Sequence, residues 1–160
     1  MRGEFVIAAV AAMIAGCSAG TKNDPGADSS FAKVQRRGAV VMGVDQYTSQ
    51  HVFESLPDGG RIVLQRADND PTGEATIRAH MRTIAESFRR GDFTFPGVVH
   101  SMQDVPGTVV MRRLTADITY TPHDLPRGGE VIISTKNPAA VSAIHEFLAF
   151  QRLDHRTGMH

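Results

Sequence analysis

The chain has 160 residues, and its 17 basic and 17 acidic side chains leave it without formal net charge at neutral pH. Such a balance argues against nucleic-acid binding, which depends on clusters of basic residues that neutralise phosphates. Cys17 is the only cysteine, so no disulfide stabilises the fold and no thiol is available to the chain after that position.

The first 16 residues are typical of an export signal. Arg2 supplies a positive charge, and the uncharged apolar run Phe5–Ala15 follows it. This run is shorter than the roughly 20 apolar residues of a membrane-spanning helix but suits the core of a signal peptide. It ends in Ile14-Ala15-Gly16-Cys17, which resembles the lipobox of bacterial lipoproteins. The resemblance implies cleavage before Cys17 and acylation of that cysteine with palmitate-like chains.

Two other interpretations of this segment remain open. Ordinary secretory cleavage would leave the Cys17 thiol free, and a cytosolic protein would keep the apolar run. The lipoprotein interpretation predicts a domain anchored by lipid to the cell membrane or the outer membrane, facing the periplasm or the outside of the cell. Residues 17–32 would then be a lipidated cysteine and a flexible tether, because residues 18–32 are rich in Ser, Gly, Asp, Asn and Pro. Residues 33–160 would form a single domain.

Two segments of that domain share one pattern, Leu-Pro-x-Gly-Gly followed by β-branched residues. They are Leu56–Gly60 and Leu125–Gly129. Pro and Gly together favour a tight turn, and the β-branched residues favour a strand after it. Residues 51–55 and 118–121 precede the turns and are expected to complete two β-hairpins.

A helix is predicted after each hairpin. Asp70-Pro71 and Asn137-Pro138 each place a capping side chain before a proline at the first helical position. The first helix carries a stripe of apolar residues and ends at Gly91, whereas the second, residues 139–153, is apolar nearly all round. We therefore predict an α+β fold of two ββα units, with one antiparallel sheet and two helices packed on it. The alternative to a repeated unit is chance similarity of two Pro-Gly hairpins. Residues 91–114 are interpreted as a connection with a short strand or helical turn.

Several short segments resemble a family of small, exported, largely uncharacterised bacterial proteins. They are Met42-Gly43-Val44-Asp45-Gln46, His51-Val52-Phe53, Asp58-Gly59-Gly60, Arg78-Ala79-His80, Gly91-Asp92-Phe93, Val99-His100, Pro106-Gly107-Thr108, Ala143–Gln151 and His155. The resemblance covers about residues 37–158. Members are sometimes labelled aspartate carbamoyltransferase, but this chain has neither the Ser-Thr-Arg-Thr phosphate loop nor the length of such an enzyme. The resemblance supports the domain boundaries and draws attention to the histidines.

The most specific functional hypothesis is a metal or haem site built from imidazole and thioether groups. The candidate ligands are His51, His80, His100, His145 and Met102. Imidazole and thioether suit copper better than hard cations, and copper handling fits an extracytoplasmic location. We expect His80, His100 and His145 to converge. The alternative is that each histidine is an ordinary core residue, because no His-Glu-x-x-His or other spaced ligand pair is present.

Two other functions are also compatible with the sequence. An acid–base enzyme could use Asp45, His51 or His145 with Glu146, since imidazole transfers protons near neutral pH. A plain interaction module would bind another envelope protein or a small ligand between the sheet and the helices. The sequence favours a non-catalytic binding module whose partners are the membrane, through the lipid anchor, and a metal ion or another envelope protein.

Overall fold

The computed structural model describes residues 25–157. In chain order, these residues form α1 (Pro25–Met42), β1 (Ser49–Leu56), β2 (Gly59–Arg66), α2 (Pro71–Arg89), α3 (Thr94–His100), α4 (Thr108–Arg113), β3 (Ile118–Leu125), β4 (Gly128–Thr135) and α5 (Pro138–Asp154). The α+β prediction is confirmed, with two hairpins joined in one antiparallel sheet and helices packed on it. Cys17 and the predicted signal peptide lie outside the described residues.

The two hairpins have the same length and register. Ser49 pairs with Arg66 in the first, and the equivalent positions Ile118 and Thr135 pair in the second. The sheet order is β1-β2-β4-β3, so the second strand of each hairpin lies at the centre. There Ile62 pairs with Val131, its counterpart in the other hairpin. This pairing places an approximate twofold axis through the middle of the sheet.

The helices cross over between the two units. Helix α2, which follows the first hairpin, packs mainly on β3 and β4, whereas α5, which follows the second, packs mainly on β1 and β2. Each hairpin is therefore covered by the helix of the other unit. The core lies between the sheet and the two helices, and Ile77 and Phe88 of α2 and Ile144 and Phe147 of α5 are almost fully buried in it.

The predicted helix starts are confirmed. The Asp70 carboxylate accepts a hydrogen bond of 3.0 Å from the backbone N–H of Gly73, and Asn137 Oδ1 accepts one of 3.0 Å from Ala139. These bonds satisfy N–H groups that have no partner within the helix. In the first turn the residue with positive φ is a glycine, Gly59 (φ +148°), whereas in the second turn it is Arg127 (φ +62°).

Two regions differ from the sequence-based expectation. Helix α1 begins at Pro25 and so includes the last eight residues of the stretch expected to be a tether. Two contacts fix α1 to the domain, because the Arg37 Nε–H donates to the Val99 carbonyl at 2.6 Å and the Arg156 guanidinium lies 4.6 Å from the centre of the Phe31 ring. The connection 91–114 holds two short helices, α3 and α4, and no strand. Within residues 25–157, no helix is both long and apolar enough to cross a bilayer.

Candidate functional site

Four histidines from four parts of the chain line one pocket beside the core. His51 comes from β1, His80 from α2 and His100 from the last position of α3, and His155 directly follows α5. The cavity itself has a volume of about 60 Å³, and the empty space is about 500 Å³ when the open solvent at its mouth is counted. Apart from the imidazoles and the Gln151 amide, the lining is apolar, so the histidines provide most of its polar chemistry.

Local structure explains why these imidazoles face inward. His51 lies two residues before Phe53 on β1, and alternate residues of a strand share a face; their rings stack with centroids 5.7 Å apart and planes 8° apart. His80 lies three residues after Ile77 on α2, which places it on the buried side of that helix. His155 caps the C-terminus of α5, where its backbone N–H donates to the Gln151 carbonyl at 3.0 Å.

One part of the site joins His51, His155 and a methionine. The two imidazole centroids are 5.2 Å apart, and the His155 centroid is 5.4 Å from that of Phe53. His51 Nε2 lies 3.4 Å from Met42 Sδ at the end of α1. His155 Nδ1 is buried and has no hydrogen-bond partner among residues 25–157. A buried polar atom without a partner is costly, which makes this nitrogen a candidate ligand-binding atom.

His100 is held differently, because both of its nitrogens are occupied. Nδ1 donates a short hydrogen bond to the Asp154 carboxylate, and Nε2 lies 2.9 Å from the Gln151 side-chain oxygen. The ring also meets Phe150 edge-on, with centroids 5.0 Å apart, and His155 at 5.2 Å. His100 therefore braces His155 and offers no free nitrogen to a ligand.

The other three imidazoles are strongly biased toward the neutral form. Burial, reinforced by His80, lowers the pKa of His51 from 6.5 to about 4. Burial alone lowers the pKa of His80 to about 4. Burial, followed by the nearby His51 and His100, lowers the pKa of His155 to about 3, and the Asp154 carboxylate only partly opposes this. At neutral pH each ring keeps an unprotonated nitrogen with a lone pair.

The predicted ligand set is brought together only in part. His51, His80 and His100 line the pocket, but His145 does not, because its Nε2 lies 2.8 Å from the Leu56 carbonyl at the end of β1. Met102 follows α3, is 39% exposed and does not line the pocket. The expected convergence of His80, His100 and His145 is therefore corrected. In the described part of the chain, no three His, Cys, Asp or Glu side chains are placed to hold one metal ion.

The acid–base candidates are also separated. The Asp45 carboxylate is exposed and accepts a hydrogen bond of 2.8 Å from the Tyr47 backbone N–H, which is a turn contact. Glu146 is exposed on α5, and neither residue lines the pocket with His51. These carboxylates do not form an acid–base pair with the histidines proposed beside them.

Sequence reasoning did not select His155 or Met42 as site residues. The available signal was the spacing Gln151, Asp154 and His155 at the end of a buried helix, where i and i+4 positions share a face. Met42 was hidden because the first helix was not recognised, so nothing indicated that its last residue points at β1.

Comparison of the chain with protein-family models, with curated proteins and with solved structures finds no match.

Proposed function

We propose that this protein is a lipid-anchored, extracytoplasmic binding protein that holds a small ligand in the histidine-lined pocket and performs no chemistry on it. The observation that carries the proposal is the set of three neutral imidazoles, His51, His80 and His155, in a cavity whose lining is otherwise apolar apart from His100 and Gln151. Ligand sites in proteins are typically apolar clefts with a few polar groups that fix orientation.

The chemistry of the lining defines the ligands that would fit. A cavity walled by Phe53, Ile84, Phe95 and Phe147 disfavours a hydrated, highly charged ligand. Neutral imidazole nitrogens accept hydrogen bonds from an N–H or O–H donor and also coordinate metals. The ligand is therefore an uncharged donor-bearing molecule or a soft, weakly charged ion.

The segment Ile14–Cys17 supports the anchoring part of the proposal, through its resemblance to a lipobox. Seven residues separate Cys17 from the start of α1 at Pro25, and they can span at most about 25 Å when fully extended. Acyl chains on Cys17 would contribute about 0.8 kcal/mol per buried methylene, so two or three chains hold the domain at the membrane surface.

Mass spectrometry of the protein purified from membranes tests the anchor. We expect residues 1–16 to be absent and Cys17 to carry a diacylglyceryl group. A full-length Cys17→Ser chain should keep its leader and carry no lipid. An unmodified Cys17 in the membrane-purified protein would contradict this part of the proposal.

Titration with indole, followed by NMR, tests the pocket. Indole is a small apolar probe with one N–H donor, and we expect saturable one-to-one binding that shifts the imidazole resonances of His51 and His155. Ile84→Phe enlarges a half-buried side chain in the lining and should weaken binding at least tenfold. Val109→Phe makes the same kind of change at a site 54% exposed on α4 and should not. Equal binding by both variants would show that the pocket is not the binding site.

A further inference from the structure

Two separations within the Met42–His51–His155 cluster match those found between ligands of one metal ion. Imidazole and sulfur ligands bind first-row metals at about 2.0 and 2.3 Å, which places N and S about 3.4–3.7 Å apart at angles of about 105–120°. The separation between His51 Nε2 and Met42 Sδ is 3.4 Å. Two imidazoles on one ion at similar angles have centroids about 5 Å apart, and those of His51 and His155 are 5.2 Å apart.

We propose that these three side chains bind one cuprous ion, Cu(I), through Met42 Sδ, His51 Nε2 and His155 Nδ1. This inference rests on the proposed binding function and names the ligand class of the same pocket. Of the ligands expected from sequence, only His51 remains. Met42 and His155 join it, and His80, His100, His145 and Met102 are not ligands of this site.

The donor set favours Cu(I) over the divalent ions. Thioether sulfur is a soft ligand that selects Cu(I), and imidazole suits copper in either oxidation state. All three donors are neutral, and none of the ligands is a carboxylate or thiolate that would offset a double charge in an apolar site. A monovalent ion needs less compensation and accepts a three-coordinate N₂S environment, whereas structural zinc is usually four-coordinate.

The surroundings of the cluster support a cation of low charge. Asp154, the carboxylate next to His155, is bonded to His100 and partly offsets the unfavourable effect of His51 and His100 on positive charge at His155. His80 faces the same pocket in its neutral form, so it adds no positive charge. The Phe53 ring packs against both imidazoles and gives them an apolar wall on that side. Coordination through His51 Nε2 needs only the tautomer with its proton on Nδ1, so no proton is gained or lost.

Anaerobic Cu(I) titration tests the proposal, with the full-length chain purified in mild detergent. The chain carries Cys17→Ser so that its thiol does not compete for the metal. Cu(I) is supplied as its bathocuproine disulfonate complex, and transfer to the protein is read from the loss of colour. We expect one equivalent to transfer, and X-ray absorption should show two nitrogen ligands and one sulfur ligand.

Matched variants locate the site. Met42→Leu should lower the Cu(I) affinity at least tenfold and remove the sulfur ligand from the absorption spectrum, whereas Met102→Leu should change neither. His155→Gln should abolish transfer, and His145→Gln should not, with circular dichroism confirming that each variant is folded. The copper proposal is overturned if no metal transfers, or if Met42→Leu and Met102→Leu behave alike. Retained indole binding would then leave the binding pocket itself standing, and loss of both would refute the two proposals together.

Discussion

Acidification should destabilise this domain through its buried imidazoles. His51, His80 and His155 have folded-state pKa values of about 4, 4 and 3, against an ordinary value of 6.5. Because the folded pKa is lowered, the unfolded chain binds protons at a higher pH than the folded chain does. The stabilising contribution is complete above pH 6.5 and is lost as the pH falls from 6.5 toward the folded values.

The size of the effect follows from these values. At pH 5, one histidine whose pKa falls from 6.5 to about 4 on folding lowers the free energy of unfolding by about 2 kcal/mol. Three such groups set an upper bound of about 6 kcal/mol, which is comparable with the whole stability of a typical domain, about 5–15 kcal/mol. We therefore expect cooperative acid unfolding between pH 5 and 4.

Urea unfolding followed by circular dichroism at pH 7.5 and pH 5 measures this loss. His80→Phe keeps an aromatic ring against Phe95 but cannot titrate, so it should reduce the loss between the two pH values by about 2 kcal/mol, or about 1 M in the urea midpoint. His123→Phe, at an exposed position on β3, should leave the loss unchanged. If His80→Phe shows the same pH dependence as the unsubstituted protein, burial of His80 does not produce the effect and the electrostatic reasoning fails.

Three substitutions test the packing by thermal or urea unfolding. The Tyr120 hydroxyl is buried without a hydrogen-bond partner among residues 25–157, so Tyr120→Phe should raise the free energy of unfolding by about 1 kcal/mol. A lower free energy of unfolding would show that the hydroxyl does have a hydrogen-bond partner. Gly107 has φ +82°, and a Cβ there would lie 2.2 Å from the Ala143 carbonyl oxygen. Gly107→Ala should therefore lower the free energy of unfolding by about 2 kcal/mol or more. An unchanged free energy of unfolding would contradict that close approach. Asp70→Ala removes the N-cap of α2 and should lower the free energy of unfolding by about 1 kcal/mol. Asp68 is exposed in the same connection, and Asp68→Ala should change the free energy of unfolding little. Equal effects of the two substitutions would show that the cap does not stabilise the helix.

The sheet and its helices were predictable because local chemistry specifies them. The Pro-Gly turns defined both hairpins, and the caps at Asp70 and Asn137 defined the starts of α2 and α5. Helix α1 was not predictable from composition, because its first residues are polar and its attachment depends on contacts such as Arg37 with Val99, 62 positions away. The crossing of α2 and α5 over the opposite hairpins depends on the central pairing of β2 with β4, which no local pattern encodes.

The sequence indicated which types of residue form the site, histidine and methionine, but not which particular histidines and methionine. Because side chains alternate along a strand, His51 and Phe53 share a face of β1, and the periodicity of α2 puts His80 beside its buried stripe. His145 does not reach the pocket because it lies on a different face of α5 from Phe147 and Gln151, which line it. His145 instead lies against the turn end of β1. Which face of a helix meets which neighbour is a tertiary property.

Because each hairpin is covered by the helix of the other unit, the pocket forms only after both units have been synthesised. During synthesis and the proposed passage across the membrane, the first hairpin and α2 emerge early, yet α2 has its main packing surface on strands that follow later. The pocket around His51 and His80 is incomplete until α5 packs on the sheet, because α5 supplies part of its wall and His155 directly follows that helix. Under the proposed binding function, a partly exported chain would lack a complete ligand site, so the ligand would be captured only in the compartment in which the last helix docks.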